Sequence, residues 1–257
     1  MRNIQLRLII SVFFVTFFSS IIAFAGQKVI IYGDDSYPPY SFMETKEKTA
    51  KGIYVEILKK AFSYMPDYDV VITVIPWKRG IKNIKVGDGV ALFPPYFAEK
   101  RVPWMNFSEP ILAEKIIVFS TEEILKGKKR WPDDFFGLRG GINLGFNHVS
   151  MGGQAFADAV KEGKIKLDEA KSNDASLKKL SIGRIDFYLN DQLIDISNYP
   201  KVVRSSIVAS QNHGYLGFTR KIDKFPFIPE FKKQFDEVIK KMKSNGEIDQ
   251  IVQSLKK

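Results

Sequence analysis

Apolar residues recur along the chain in two alternating rhythms. Lys28-Val-Ile-Ile-Tyr32 is a short apolar run closed by the turn-rich Gly33-Asp-Asp-Ser-Tyr-Pro-Pro-Tyr40, and reads as a buried strand. Val55, Leu58, Phe62 and Met65 fall at helical spacing and predict an amphipathic helix over 53–65. The β-branched stretch Asp69 to Ile75 predicts a strand. Pro76 stands at a helix start, with Trp77, Ile81 and Ile84 on one face and an end near Gly87. Val90 to Phe93 is the next strand, broken by Pro94-Pro95. Strand, helix, strand, helix, strand is the order of a doubly wound parallel sheet.

After a strand at Ile116 to Phe119 and a polar stretch over 121–130, the pattern restarts. Gly141 to Leu144 predicts a strand, with helices over about 152–162 and 175–180. Strands are predicted over 185–189, 202–209 and 215–219. Phe231, Phe235, Val238, Ile239 and Met242 define a helix stopped by Asn245-Gly246, and Ile248, Ile251, Val252 and Leu255 a last one. Two α/β units in series are expected.

The first 25 residues have a different character. Arg2 and Arg7 precede an apolar run from Leu8 to Val15, and Ala23-Phe-Ala25 supplies the small residues of a cleavage site. This predicts a signal peptide over 1–25, removed after Ala25. An uncleaved anchor is the competing reading, because Leu6 to Ala25 has about the ~20 residues of a membrane span. Thr16, Ser19, Ser20 and the small residues favour cleavage.

Composition narrows the chemistry. The 257 residues contain no cysteine, which removes disulfides, Cys-ligated zinc, Fe–S clusters, thiol catalysis and an acylated-cysteine anchor. Export without any of these suits a free periplasmic protein. The formal charge of +10 raises a nucleic-acid reading. It fails on distribution: the one dense basic run is Lys126-Gly-Lys-Lys-Arg130, and lysines such as Lys232, Lys233, Lys240 and Lys241 sit on solvent faces of helices. His148 and His213 are the only imidazoles, there is no G-x-S-x-G elbow, and neither His has a ligand partner at helical spacing. Gly140-Gly-Ile-Asn-Leu-Gly145 lacks the ending of a phosphate loop, though glycines before a helix can still meet an anion. No metal, cofactor or catalytic residue is expected.

Position says more. Ligands of open α/β sheets bind beyond the carboxyl ends of strands. Four loops lie there: Asp34, Asp35, Tyr37 and Tyr40 after the first strand; Phe93, Tyr96, Phe97 and Arg101 after the third; Phe146, Asn147 and His148 in the second unit; and Asn190-Asp191 after 185–189. Aromatics, one arginine and several carboxylates are groups that clamp a small zwitterion.

The chain resembles the periplasmic solute-binding proteins of polar amino-acid ABC transporters, bacterial extracellular solute-binding family 3. The resemblance rests on Tyr37-Pro-Pro-Tyr-Ser-Phe42, Gly52-Ile-Tyr-Val-Glu-Ile57, Pro76-Trp-Lys-Arg79 with Val86-Gly-Asp88, and Glu99-Lys-Arg101. It continues with Phe107-Ser-Glu-Pro110, Gly183-Arg-Ile-Asp186 with Asn190-Asp191, and Met242-Lys-Ser-Asn-Gly246, in family order across 26–257. It implies an α/β, two-lobed periplasmic-binding-protein-like fold (type II), each lobe a mainly parallel sheet flanked by helices, with a two-strand hinge. Lobe 1 would comprise 26–112 plus 215–257, lobe 2 would comprise 117–206, and 113–116 with 207–214 would form the hinge.

The resemblance also implies roles. Arg101 would grip a ligand carboxylate, Asp191 would receive an ammonium, Asp35 would add a polar contact and Tyr37 would stack on the ligand. Gly145, Phe146 and Asn147 occupy the second-lobe loop that meets the carboxylate. Family members usually carry small hydroxyl residues before the arginine, where this chain has Phe93-Pro-Pro-Tyr96; Phe146 likewise stands where Ser or Thr is common. Phe93, Tyr96, Phe146 and Trp77 are therefore expected to present aromatic faces to the solute. The expected function is non-enzymatic, periplasmic binding of a small polar, amino-acid-like solute by a monomer, with delivery to an inner-membrane ABC permease. The alternatives are a ligand-sensing module for a membrane receptor and a cyclohexadienyl-dehydratase-like enzyme, whose catalytic carboxylate matches no position here.

Overall fold

The structure is a computed structural model that describes residues 26–255, so the expected signal peptide lies outside the described residues. The first apolar run forms β1 (Gln27–Asp34). A hairpin-like sheet follows, β2 (Ser36–Tyr37), β3 (Ser41–Glu44) and β4 (Thr49–Lys51), which was not foreseen because its strands are short and mostly polar. The chain then builds α1 (Ile53–Phe62), β5 (Tyr68–Ile75), α2 (Trp77–Val86), β6 (Ala91–Phe93) and β7 (Met105–Phe107). Entry into α1 depends on Gly52. Its φ is 121°, and a Cβ there would stand 2.4 Å from the Tyr40 carbonyl oxygen.

The long β8 (Leu112–Ser120) leads into α3 (Glu122–Leu125), β9 (Arg139–Asn143), α4 (His148–Lys161), β10 (Lys166–Ala170), α5 (Asn173–Ser181) and β11 (Phe187–Asp191). The equally long β12 (Val203–Gly214) returns, followed by β13 (Gly217–Thr219), α6 (Ile228–Ser244) and α7 (Glu247–Ser254). The helix expected from residue 152 starts at His148, because the Asn147 side chain accepts the Ser150 amide at 2.8 Å and caps it. Gly153, at φ 83°, breaks it internally. Lys166–Ala170 was not foreseen as a strand, since Lys, Asp and Glu interrupt its alternation.

Two five-stranded sheets result, in orders β5-β1-β6-β13-β7 and β10-β9-β11-β8-β12. Each has a parallel half (β5-β1-β6; β10-β9-β11) and an antiparallel half. Helices flank both, giving a two-lobed α/β architecture. β8 and β12 pair along their length, from Ser120 opposite Val203 to Leu112 opposite Gly214. At that last end they meet the first sheet: Ile111 N–H donates to the Gly214 carbonyl, and Tyr96 bridges to Gly214.

The largest core cluster lies on the first sheet. Phe231, Phe235, Ile239 and Met242 of α6 pack with Ile57, Leu58 and Phe62 of α1, all of them buried. The second lobe has cores on both faces of its sheet, one around Phe135, Phe156 and Phe187 and one around Phe119, Leu177 and Tyr188. Among the described residues no helix is long and apolar enough to cross a membrane.

Candidate functional site

The carboxyl ends of β1 and β6 face the loop between β9 and α4, and a narrow recess with a cavity volume of about 20 Å³ lies between them. Asp34, Tyr37, Trp77, Pro94, Tyr96 and Arg101 line it from the first lobe. Phe146, Asn147, Ser150 and Met151 line it from the second.

Arg101 ends a single 3-10 turn and is 5% exposed. Its Nη1 donates to the Tyr96 carbonyl at 2.7 Å, and its guanidinium carbon lies 5.8 Å from the Trp77 ring centroid. Among the described residues no carboxylate lies within ion-pair distance of it. Burial lowers its pKa to about 10, which still leaves it charged at neutral pH. A buried cation with most donors unspent can accommodate an anion, and its fork has the geometry of a carboxylate partner.

Asp34 is the recess's other charged group, 4% exposed at the end of β1. Its Oδ1 accepts the Ser36 amide at 3.0 Å. Burial pushes its pKa up to about 7, with the Ser36 bond opposing and Asp35 adding to the rise. Between these groups stand aromatic walls. Phe146 reaches across from the second lobe and meets Tyr37 edge-on at 5.7 Å and Trp77 at 6.2 Å. The buried Trp77 Nε1–H has no hydrogen-bond partner among the described residues.

Behind the tyrosines lies a buried carboxylate that sequence reasoning missed. Glu114, on β8, accepts Tyr37 Oη–H at 2.7 Å and Tyr96 Oη–H at 2.5 Å on Oε2, and the Tyr54 hydroxyl on Oε1. Burial, with Asp191 second, raises its pKa to about 8 against the pull of the three phenols. Burial and then Glu114 push all three phenols well above their ordinary range. The signal was a lone acid beside the apolar run Ile116 to Phe119.

Asp191 is occupied by the protein itself. Its Oδ1 accepts the Tyr40 hydroxyl at 2.5 Å and the Leu193 amide at 2.8 Å, and its Oδ2 accepts the Lys115 amide at 2.9 Å. Tyr40 and Asp191 thus join the two lobes, as does Asn173, whose Nδ2 donates to the Pro38 carbonyl at 3.1 Å.

Of the ten residues singled out from sequence, the recess brings together Tyr37, Trp77, Tyr96, Arg101, Phe146 and Asn147. The other four lie outside its lining. Phe93 is fully buried, its ring lying over Gly33, where a Cβ would stand 2.4 Å away; it is core. Asp35 is one residue out of phase: it accepts the Ser36 hydroxyl at 3.0 Å, while Asp34 faces the recess. Gly145 supplies the turn before Phe146, at φ 83°. Asp191 is turned to Tyr40 and backbone amides. Asp34 and Tyr40 carry the mark of loop position in the sequence; Tyr54, Ser150 and Met151 carry none. Among the described residues no group of three His, Asp or Glu side chains could hold a metal ion.

Two α/β lobes joined by paired strands, with a charged and aromatic recess at strand carboxyl ends, define a two-lobed solute-binding fold. The sequence matches the family described as bacterial extracellular solute-binding proteins, family 3, over residues 29–255, and the chain belongs to that family. No curated protein matches it in sequence. Among solved structures, it is similar to a histidine kinase sensor domain with similarity to periplasmic binding proteins (16% identity, 90% of this chain and 96% of that one, TM-score 0.76). It is also similar to AbpA, an amino acid ABC transporter substrate-binding protein from Streptococcus pneumoniae bound to L-arginine (13%, 89% and 94%, 0.72). A third is the ancestral amino-acid-binding protein AncCDT-1, a precursor of cyclohexadienyl dehydratase (17%, 90% and 95%, 0.72). At these identities the shared property is the fold.

Proposed function

We propose that this chain is an exported, non-enzymatic binding protein that holds one small, carboxylate-bearing, amino-acid-like solute between its lobes and delivers it to an ABC permease. The observation that carries this is Arg101, a buried guanidinium with no acidic partner among the described residues, opening on a recess with aromatic walls. Arg101 takes the carboxylate; Tyr37, Trp77, Tyr96 and Phe146 take the apolar part; Asn147 and Ser150 offer polar contacts from the second lobe. Family membership supports binding, and the likeness to AbpA supports an amino-acid-like ligand and a permease partner. Lobe 1 is 26–112 plus 215–257, lobe 2 is 117–206, and the strands at 113–116 and 207–214 bend as the lobes close. The 1–25 segment supports export to the periplasm, where the chain acts as a monomer.

A thermal-shift screen of the 26–257 protein against amino acids, opines, short peptides and aromatic acids tests the reading. A saturable hit that is lost in Arg101→Ala is expected. No hit from folded protein refutes it. The sensor-domain likeness favours a second reading, in which the bound form contacts a membrane receptor. Capture from inner membranes with ligand present separates a permease from a receptor. Formation of an aromatic product from prephenate or arogenate would overturn the non-enzymatic part.

A further inference from the structure

The fold assembles a cationic face that no single stretch of sequence shows. Trp77, Gly80 and Ile84 of α2 are buried, and Leu92 of β6 stands so close to Gly80 that a Cβ there would meet its Cδ1 at 2.6 Å. That packing turns Lys78, Arg79, Lys82 and Lys85 to solvent, and α2 contains no acid. Lys78, Lys82 and Lys85 follow one another at helical spacing, so like charges line one stripe. Lys78 and Arg79 also stand in the first turn, at the positive end of the helix dipole. Both arrangements destabilise the helix taken alone. The exposed segment Arg220-Lys-Ile-Asp-Lys224 extends the face at the other end of α2. A Cβ on Gly87 would meet the Lys221 Cβ at 2.9 Å, and Lys224 Nζ donates to the Val86 and Gly87 carbonyls at 3.2 and 3.3 Å, closing the helix C-terminus.

Among the described residues none of Lys78, Arg79, Lys82, Lys85, Arg220 or Lys221 forms an ion pair. Helix α6 is the contrasting case: Lys232 pairs with Asp236, and Lys240 and Lys243 reach Glu109. Two aliphatic side chains stand among the α2 cations, Val86 at 43% and Ile222 at 54% exposure. Lysine is a point charge on a flexible stem and suits mobile headgroups, whereas a fixed carboxylate partner favours the planar fork of arginine. Amines around exposed aliphatics compose a surface that lies on a bilayer, with the charges on phosphates and the apolar tips in the interfacial layer. We infer that this face of the first lobe docks on an anionic lipid surface, with Lys78, Lys82, Lys85 and Lys221 against headgroup phosphates and Val86 and Ile222 entering the interface. The lipid phosphates supply the counter-charge that α2 lacks within the chain. Docking of this kind holds the protein at the membrane reversibly, without an acyl anchor.

The test is flotation of the 26–257 protein, which contains both lobes entire, with vesicles of phosphatidylglycerol and of phosphatidylcholine and no solute present. Wild type is expected on phosphatidylglycerol only, with binding that weakens as salt rises. Lys78→Gln, Lys82→Gln and Lys85→Gln together should lower the partition coefficient about 100-fold, at roughly 5-fold for each lysine near an anionic surface. Ile222→Asn should lower it about 5-fold or more. The matched triple Lys233→Gln, Lys240→Gln and Lys241→Gln removes the same charge from α6 and should bind as wild type does. Equal loss in both triples would mean attraction by net charge alone and overturns the inference, as does equal binding to the two lipids or no binding of folded wild type. Retention through α2 on protein-bearing inner-membrane vesicles, without binding to pure lipid, overturns it too and makes the face a protein-docking surface. The two-lipid comparison uses wild type, so a folding defect in a variant leaves the question decidable. With no solute in any arm, failure here leaves the solute-binding reading standing.

Discussion

Replacing Glu114 by glutamine makes the buried carboxyl's effect on stability measurable. Glu114 is 3% exposed, and its pKa rises from an ordinary 4.5 to about 8. Such a group holds its proton more tightly in the folded chain than in the unfolded one. Its contribution to stability is full below about pH 4.5 and falls away as pH rises towards 8, because only the unfolded carboxyl ionises over that interval. At about 1.36 kcal/mol per pH unit, the interval corresponds to a loss on the order of 5 kcal/mol. Asp34, raised from 3.8 to about 7, acts in the same direction. Glutamine does not titrate, and its amide turns two N–H donors toward the phenols where the protonated acid has a single O–H. Glu114→Gln should therefore be less stable than wild type at pH 5 by about 1–3 kcal/mol, the cost of a mismatched buried polar group. Between pH 5 and 8 it should lose about 4 kcal/mol less than wild type, so the two curves converge or cross. Urea unfolding of the 26–257 protein at pH 5, 6, 7 and 8, read by tryptophan fluorescence, measures both. Parallel pH profiles, or a wild type that gains stability from pH 5 to 8, would refute the argument.

Arg101→Lys keeps the charge but loses the planar fork, and should weaken carboxylate binding by about 10-fold or more in calorimetry. Phe146→Ala removes the ring that meets Tyr37 and Trp77 from across the cleft. Affinity should fall about 10-fold, with the melting temperature of the free protein changed far less than by a core truncation such as Phe235→Ala, which should cost about 3–5 kcal/mol. Gly52→Ala places a methyl 2.4 Å from the Tyr40 carbonyl at a φ of 121°; a loss of about 2 kcal/mol or more in urea unfolding is expected. Tyr40→Phe deletes the hydroxyl that links the lobes through Asp191. Small-angle scattering of the free protein should then show a larger radius of gyration than wild type, and an unchanged radius would mean that Asn173 and Phe146 suffice to hold the lobes together.

The limits of sequence reading follow from which physical signals are local. The helices and parallel strands of the first unit were legible because Val55, Leu58 and Phe62, or Asp69 to Ile75, repeat at the period of their own element. The β2-β3-β4 sheet and β10 were not, since pairing with neighbours rather than side-chain alternation makes them strands. Within the site, residue type and loop position were enough to place Tyr37, Trp77, Tyr96 and Arg101 on one recess. Of the acids, the recess is lined by Asp34, while Asp35 and Asp191 lie outside its lining. A one-residue change of phase separates Asp34 from Asp35, and in a strand end that puts neighbouring side chains on opposite sides. Asp191 accepts the hydroxyl of Tyr40, 151 residues earlier in the chain. An acid's role here depends on which donor reaches it first, and donors that arrive from another lobe leave no mark on the local sequence. The same reasoning explains Glu114: one carboxylate on β8 gathers tyrosines from residues 37, 54 and 96, three segments whose spacing carries no motif. Substitutions that vary the solute should therefore fall on Asp34, Trp77 and Phe146, which face the recess, while Glu114 and its phenols set the shape against which those side chains act.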